Sequence, residues 1–424
     1  MNRDQQPADR LYAIVEQSLC IGCGLCQSVA GPDVVRMERT ATGWDRPYVV
    51  GDLDHETVDA IYDTCPGTRI EGLPERLIED DTKSDNVWGA WRRMVMSWAA
   101  DPEIRHEGST GGVLTALGIY LLESGQVDFI LHAKAGTEEP TFGERHLSFT
   151  REDVIAGAGS RYGQTAPLTD MQDALDRNRP FAFIGKPCDI NALRNYARHD
   201  PRVDKLVKYW LTMVCGGFMT PSAMGDFMEN HGIDRASVTK FRYRGRGCPG
   251  PTRVETGDTV TELHYLDMWL SEEGLKGLPF RCKICPDGIG EAADIAISDT
   301  WPGGLPDRVD SETDLGTNAI IARTKAGQEL MEAAGRDGAL TLDFDVIPDD
   351  ISIFQPHQLH KKYAAWPRHQ GIGDSGRIVP ETRRLRIAEL AAELPETQNA
   401  AQRDGTRKRI EAGKASEPKP EPVR

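Results

Sequence analysis

Residues 180–199 read "PFAFIGKPCDINALRNYARH", and the fold class follows from them. "PFAFIG" is a short apolar run closed by Gly185, the pattern of a strand buried on both faces. "DINALRNYARH" then reads as a helix. Cys188 therefore lies just beyond a strand and at the start of a helix.

The same rhythm continues on both sides. Upstream, "GGVLTALGIYLLESG" has helical periodicity, "VDFILHAKAG" reads as a strand and "LTDMQDALDRN" as a helix. Downstream come a strand at "KYWLTMVC" and a helix at "PSAMGDFMENHG", with Pro221 suited to its first turn and Gly232 to its end. "TNAIIARTKAGQELMEAAG" adds another strand–turn–helix unit. Alternation of this kind predicts α/β layering. From Pro380 an amphipathic helix, "PETRRLRIAELAAEL", is expected to stop at Pro395, and the polar, proline-bearing tail beyond it to be disordered.

A chain of 424 residues predicts two or three packed units with room to enclose a cofactor. The balance of 50 Lys+Arg against 66 Asp+Glu gives −16, which repels a phosphate backbone and argues against nucleic acid as a partner. An anionic ligand must then meet a local basic patch. No apolar segment suits a secretion signal or a membrane span, so a cytoplasmic protein is expected.

Nine cysteines cluster unevenly, which suggests ligation rather than a disulfide framework. In "CIGCGLC", Cys20, Cys23 and Cys26 follow a C-x2-C-x2-C spacing that wraps three corners of an iron-sulfur cubane, and Cys65, followed by Pro66, has the form of the distant fourth ligand. Gly22 and Gly24 suit so tight a loop. Structural zinc is the competing reading, although four-cysteine zinc sites more often use two separated pairs. Cys188, Cys215, Cys282 and Cys285 make a second candidate 4Fe-4S set, which by spacing alone competes evenly with a zinc pair and two buried cysteines. Cys188 and Cys215 both follow strands, and in an open parallel sheet those ends share one edge where ligands collect.

Two loops suit anions. "HEGSTGGVLTALG" puts Ser109, Thr110, Gly111 and Gly112 at a helix N-terminus fit for phosphate, against the plainer reading of an ordinary helix cap. "FRYRGRGCPGPTR" carries Arg242, Arg244, Arg246 and Arg253 within an acidic protein, with a solvated hairpin turn as its alternative. "GSRYGQTAP" adds Arg161, Tyr162 and Gln164.

Six stretches in order over residues 15–335 together resemble the beta-subunit family of coenzyme F420 hydrogenases and dehydrogenases, which includes reductases for 7-hydroxymethyl chlorophyll and for the 8-vinyl group. They are "CIGCGLC", "STGGVLTALGIYLLESGQVD", "GKPCDINALR", "MVCGGF", "CKICPDGIGEAADIAISDTW" and "TNAIIARTKAGQELMEAA". The resemblance implies an FAD-containing iron-sulfur oxidoreductase of α/β class, α+β overall. It implies a small ferredoxin-like iron-sulfur module over 1–85 and an open mixed-sheet catalytic region. That region divides into a flavin-binding part, 86–180, and a part with the second 4Fe-4S site, 181–350; 351–424 is an extension. Cys188, Cys215, Cys282 and Cys285 would hold a cluster near the flavin, the amino-terminal cysteines another, and the loop Ser109–Gly112 would touch FAD, with Arg161, Gln164, Arg244 and Arg246 as further cofactor-binding candidates. Lys186 and Cys248 depart from the residues usual in relatives.

The expected chemistry runs from a reduced ferredoxin or another redox protein, through two 4Fe-4S clusters, to FAD and on to a small organic substrate. Lys186, Tyr162 and His106 are the candidate proton carriers. A second redox reading has the chain exchange electrons with the deazaflavin coenzyme F420 on behalf of a hydrogenase or dehydrogenase complex. A third is a zinc-stabilised interaction protein without catalysis. A homo-oligomer is a further possibility for assembly.

Overall fold

Alternate residues of the central strands face two separate cores. Phe129, Leu131, Phe181 and Phe183 pack into one with Leu193 and Trp210, whereas Ile130 and Ala182 pack into the other with Leu117, Leu211, Ile295 and Ile320. A strand's side chains alternate between faces, so a run apolar at every position needs cover on both. The structure, a computed structural model, describes residues 4–271, 274 and 277–421.

These strands belong to an eight-stranded mixed sheet, in the spatial order Leu340–Asp345, Arg93–Ala99, Asn318–Ala322, Ile295–Asp299, Val207–Met213, Phe181–Gly185, Phe129–Ala135 and Gly143–Ser148. The four from Ile295–Asp299 to Phe129–Ala135 run parallel, with Leu211 opposite both Ile184 and Ile295. Antiparallel strands flank them on both sides. The helices Pro187–Tyr196 and Pro221–Asn230 form where the sequence places them. Thr220 caps the second by accepting from the Ala223 N–H at 3.2 Å. A three-stranded antiparallel sheet, Val238–Arg242, Pro251–Thr256 and Thr259–His264, carries the basic loop at the turn between its first two strands.

The amino-terminal unit consists of the helices Pro7–Glu16, Leu25–Ala30 and His55–Thr64 with the hairpin Val35–Arg39/Asp45–Val49. Its core is shared: Leu11, Ile14, Val58 and Ile61 pack with Phe280, Ile284, Ile372, Ile410 and Ala415. Residues from the far end of the chain thus complete it.

The carboxyl-terminal region differs from the sequence reading in three ways. The helix expected from Pro380 is shorter. Glu381–Arg383 is a strand paired in parallel with Arg69–Glu71, Arg384 and Arg386 take positive φ, and only Ile387–Ala392 is helical. The strand forms because Arg69–Glu71 offers it a free edge, which the local pattern cannot show. The 19-residue helix Pro356–Asp374, with Pro367 inside it, is not anticipated, since its apolar residues are sparse. Finally, the tail is not disordered throughout: Glu396–Glu411 is a helix with Thr406 and Ile410 buried, and Gly371 lets the two helices approach so closely that a Cβ there would meet the Arg403 carbonyl at 2.5 Å. The first three and last three residues of the chain lie outside the described residues.

Beyond that helix, Glu417 accepts from buried Arg46 at 2.7 and 3.0 Å, and Lys419 lies 3.2 Å from Asp9. Glu417→Ala removes the carboxylate from a buried guanidinium and is expected to lower the unfolding free energy by about 3 kcal/mol, read from urea denaturation. A second expectation concerns His132, whose Nε2 meets the Ser148 hydroxyl at 2.7 Å. Burial, with His146 adding to it, holds its pKa down at about 3. The unfolded chain takes up a proton below pH ~6.5 that the folded chain refuses. Stability should therefore be full above that pH and fall by about 1.4 kcal/mol per unit as pH drops below it. His132→Gln should remove this contribution, seen by comparing urea midpoints at pH 7 and pH 5.

Candidate functional site

The amino-terminal thiols are gathered by backbone geometry. Gly22 and Gly24 take φ of +72° and +87°, a conformation L side chains rarely adopt. This turns the chain so that the Gly22 N–H donates to the Cys20 sulfur at 3.3 Å and Gly24 opens the helix carrying Cys26. Cys65 ends the helix His55–Thr64, and the Gly67 N–H donates to its sulfur at 3.3 Å. The four thiols lie close enough to act on one another electrostatically. Burial raises the pKa of all four, Cys65 to about 12, and neighbouring thiols reinforce the effect on Cys23, Cys26 and Cys65.

The second set assembles at the carboxyl ends of adjacent parallel strands. Cys188 lies in the first turn of Pro187–Tyr196, and Cys215 follows Val207–Met213. The Cys215 N–H donates to the Gly288 carbonyl at 2.7 Å, which brings the Cys282/Cys285 segment alongside. Cys188 and Cys282 are each affected by Cys215 and Cys285, and burial raises Cys188, Cys215 and Cys282, the last to about 12. The helix Pro356–Asp374 grips these loops. Gln358 donates to the Cys215 carbonyl (2.8 Å), Lys361 to Gly216 (3.0 Å), Lys362 to Pro286 (3.1 Å) and His369 to Ile284 (3.0 Å).

A seam joins the two sets. Asn191 accepts from the Glu71 N–H at 2.6 Å and donates to Asp287 at 3.1 Å, linking the strand after Cys65 to the loop after Cys285. Arg281 donates from Nε and Nη2 to the Pro66 carbonyl at 2.9 and 2.7 Å. The cysteines are all free. Among the described residues, no three His, Cys, Asp or Glu side chains converge tightly enough to share a single metal ion.

Lys186 is held by partners within the fold. It is buried, donating to Asp189 at 2.7 Å and to the Thr165 hydroxyl. Burial opposes its charge, but Asp189 and Cys188 outweigh that and raise its pKa. It stands as a fixed cation beside the second thiol set. Gln164, expected at a cofactor, is occupied elsewhere. Its side chain exchanges hydrogen bonds with the Asp45 backbone at 3.2 and 3.0 Å and accepts from Arg46 at 3.3 Å, filling the space that a side chain on Gly22 would need. It ties the amino-terminal unit to the sheet. His106 is exposed on the short helix Pro102–Glu107 and takes no part in these networks.

The glycine loop and the basic loop do meet. Arg244 donates to Asp299 (2.6 Å), the Ser109 carbonyl (3.2 Å) and the Ser160 hydroxyl (3.0 Å). Thr110 donates to Asp299 at 2.9 Å and Asn318 to Thr110 at 2.8 Å. Close packing dictates the glycines: a Cβ on Gly111 would lie 2.7 Å from the Asn318 side chain, and one on Gly112, at φ +73°, 2.8 Å from the Ile104 carbonyl. Arg246 lies 3.4 Å from Glu107. Arg242 lies 3.6 Å from the same Glu107 carboxylate and donates to the Glu107 carbonyl at 2.7 Å, and Arg161 donates to the Ser160 carbonyl at 3.2 Å. Each has a buried Nε with no hydrogen-bond partner, and burial, then Arg242, lowers the pKa of Arg161 to about 10. Two crowded guanidiniums with unmet donors suit an anion such as a pyrophosphate.

An aromatic wall adjoins this loop. Tyr162 lies 4.7 Å from Trp269 between ring centroids and accepts from the Tyr265 hydroxyl at 3.3 Å, while the Arg244 guanidinium lies 5.7 Å from the rings of Tyr265 and Trp301. A Cβ on Gly216, next to Cys215, would touch Trp269 at 3.4 Å and reach His357 at 3.9 Å. Burial, then Lys361, lowers the pKa of His357 to about 4 and leaves it neutral. Cys248 is buried beside the loop: a Cβ on Gly316 would lie 2.9 Å from Thr110 and 3.1 Å from Cys248. Sequence reading missed Asp299 and His357, single residues without a motif. Only "DIAISDTW" hinted at the first, by ending a strand on an acid.

Comparison with known proteins bears on the family and the fold. The sequence models described as coenzyme F420 hydrogenase/dehydrogenase, beta subunit N-term and C terminus, match residues 94–172 and 178–344. The chain is 24% identical over 339 residues to the coenzyme F420-dependent sulfite reductase of Methanocaldococcus jannaschii, covering 76% of this chain and 47% of that protein, so it spans about half that relative's length. It is 26% identical over 295 residues to the coenzyme F420 hydrogenase subunit beta of Methanococcus voltae, covering 65% of this chain and 92% of that one. A chain of the F420-reducing [NiFe] hydrogenase complex from Methanosarcina barkeri shares the fold, with a TM-score of 0.54 at 23% identity over 69% of this chain and 97% of that chain. With both models matched in order along the α/β region that brings the thiols and the basic loop together, the chain belongs to the coenzyme F420 hydrogenase/dehydrogenase beta-subunit family.

Proposed function

We propose that this chain is an oxidoreductase subunit that exchanges a hydride with the deazaflavin coenzyme F420 and passes the electrons singly to or from a partner redox protein. The observation that carries it is the serial arrangement: a basic loop beside an aromatic wall, then one buried thiol set, then Arg281 and Asn191, then a second buried thiol set. The relatives favour this reading over transfer from ferredoxin to another organic substrate, because those compared are a beta subunit of an F420 hydrogenase and an F420-dependent reductase.

In this reading Cys188, Cys215, Cys282 and Cys285 hold one 4Fe-4S cluster and Cys20, Cys23, Cys26 and Cys65 another. The thiols are buried and mutually close, and backbone N–H groups point at two of the sulfurs. FAD is the group suited to the crevice, and when bound it supplies the exchange between two-electron hydride chemistry and one-electron transfer. Arg161 and Arg242 offer their unmet donors to its pyrophosphate, beside Ser109–Gly112. Arg244 is engaged by Asp299 and shapes the loop. Tyr162, Tyr265 and Trp269 form the apolar wall, with His357 beside Gly216 as a neutral imidazole.

Anaerobically purified protein is expected to contain FAD with about eight iron atoms and about eight acid-labile sulfides, and to oxidise reduced F420 with a one-electron acceptor. Stoichiometric zinc without iron would remove the redox reading; full cofactor content with turnover by reduced ferredoxin but none with F420 would restore the other direction. At residue level, Cys23→Ala should abolish exchange with a protein partner while flavin reduction by F420 persists. Cys282→Ala should lose the inner cluster's electron paramagnetic resonance signal and spare the outer one. Loss of FAD from the Cys23 variant alone would contradict the order of the centres.

A further inference from the structure

The chain carries a net charge of −16, yet one cavity of about 250 Å³ is lined by four arginines and only two acids. Arg76, Arg194, Arg198 and Arg384 supply the positive charge, Glu71 and Asp204 the negative. The lining is thus two charges positive. It is also apart from the crevice: Asp204 and Ala292, on its wall, precede the strands Val207–Met213 and Ile295–Asp299, whereas Cys215 and Asp299 lie at the carboxyl ends of those strands.

The two carboxylates are shared among more cations than they can satisfy. Glu71 accepts from Arg384 at 2.5 Å, from Arg198 at 3.2 Å and, from outside the cavity lining, from Arg69 at 2.6 Å. Asp204 accepts from Arg76 at 2.7 Å and stands 3.9 Å from Nη1 of Arg194, beyond hydrogen-bond reach. Arg194 donates from Nε to the Ala292 carbonyl at 3.1 Å and from Nη2 to Asp294 at 3.4 Å, and its guanidinium lies 3.8 Å from the Trp210 ring centroid. Among the described residues its Nη1 has no hydrogen bond, although the side chain is only 8% exposed. An unmet donor so deep in a protein costs free energy until an acceptor reaches it. Burial pulls the Arg194 pKa down to about 10 even with Asp294 and Asp204 opposing it. Nη1 of Arg76 and Nη1 of Arg384 likewise make no hydrogen bond among the described residues.

Going beyond the redox reading and independently of it, we infer that this cavity binds a phosphate dianion through Arg76, Arg194, Arg198 and Arg384. Two surplus positive charges match a dianion, and guanidinium forks on separate segments of chain suit an anion with several oxygens better than point charges would. Asn191, which accepts from the Glu71 N–H and donates to Asp287, lines the same cavity. The occupant therefore sits on the seam between the two thiol sets.

The test is isothermal titration of the full-length protein with inorganic phosphate and, separately, with glycerol phosphate, at an ionic strength held constant with chloride, so that general screening does not pass for binding. Saturable binding is expected, and the double variant Arg198→Gln, Arg384→Gln should weaken it about tenfold or more. Arg76→Gln, at a side chain about half exposed, should weaken it several-fold and serves where the double variant does not fold. Arg161→Gln, in the other anion-suited loop, should leave it unchanged. Tighter binding of inorganic phosphate would mark the free ion as the occupant, and tighter binding of the ester a phosphorylated metabolite; either supports the site. Absence of saturable binding would overturn the inference, as would binding that resists the changes at Arg76, Arg198 and Arg384 or is lost with Arg161. Neither result would touch the assignment of the thiols.

Discussion

Burying eight thiols in two tight groups is the constraint on which the rest of this structure turns. Desolvation penalises a thiolate, and it raises the thiols of both sets, several of them far above the ordinary range. A protein with a net charge of −16 has no general positive field to offset this. It places individual cations instead: Arg46 acts on Cys20, Lys186 on Cys188 and Cys215, Lys361 on Cys215 and Cys282, and Arg281 on Cys65 and Cys282. The charged ties Arg46, Lys186 and Arg281 would mean little on the surface, where solvent screens charge. Buried, each is held by a specific partner and holds it in turn.

That requirement explains why the amino-terminal unit is not a detachable module. Its core is closed by Phe280 and Ile284 from the inner cysteine segment and by Ile372, Ile410 and Ala415 from the carboxyl-terminal helices. The same long helix, Pro356–Asp374, fastens the loops bearing Cys215 and Cys285. Both thiol sets thus depend on one late segment of chain, and the tail beyond it returns to place Glu417 on Arg46 beside Cys20. Geometry at the two centres is coupled through packing, so displacement at one is felt at the other.

The crevice follows from the sheet. Parallel strands deliver the residues after each of them to one edge, where the loops diverge and leave room. Lys186, Cys188, Cys215 and Asp299 all reach that edge, although 113 positions separate Lys186 from Asp299. The glycine loop joins them through Thr110 on Asp299, and the antiparallel subsheet brings the arginines over it. Arg161 and Arg242, with their unmet donors, are the part of the crevice that asks for a ligand.

The sequence by itself determined what local chemistry can encode. Apolar runs such as "FAFIG" and "NAIIA" fixed the buried strands, Pro221 and Thr220 a helix start, and the C-x2-C-x2-C spacing with Gly22 and Gly24 a loop that gathers three thiols. Tertiary structure alone decided which cation answers which anion and which edge accepts a strand. Gln164 became a tie to Asp45, Lys186 a fixed charge on Asp189, and a polar tail folded as a helix because Gly371 and a shared core received it. These outcomes join residues far apart in the chain, such as Arg46 and Glu417 at a separation of 371. Periodicity and spacing report the neighbours a residue has along the chain; the free energy of a buried charge depends on the neighbours it has in space.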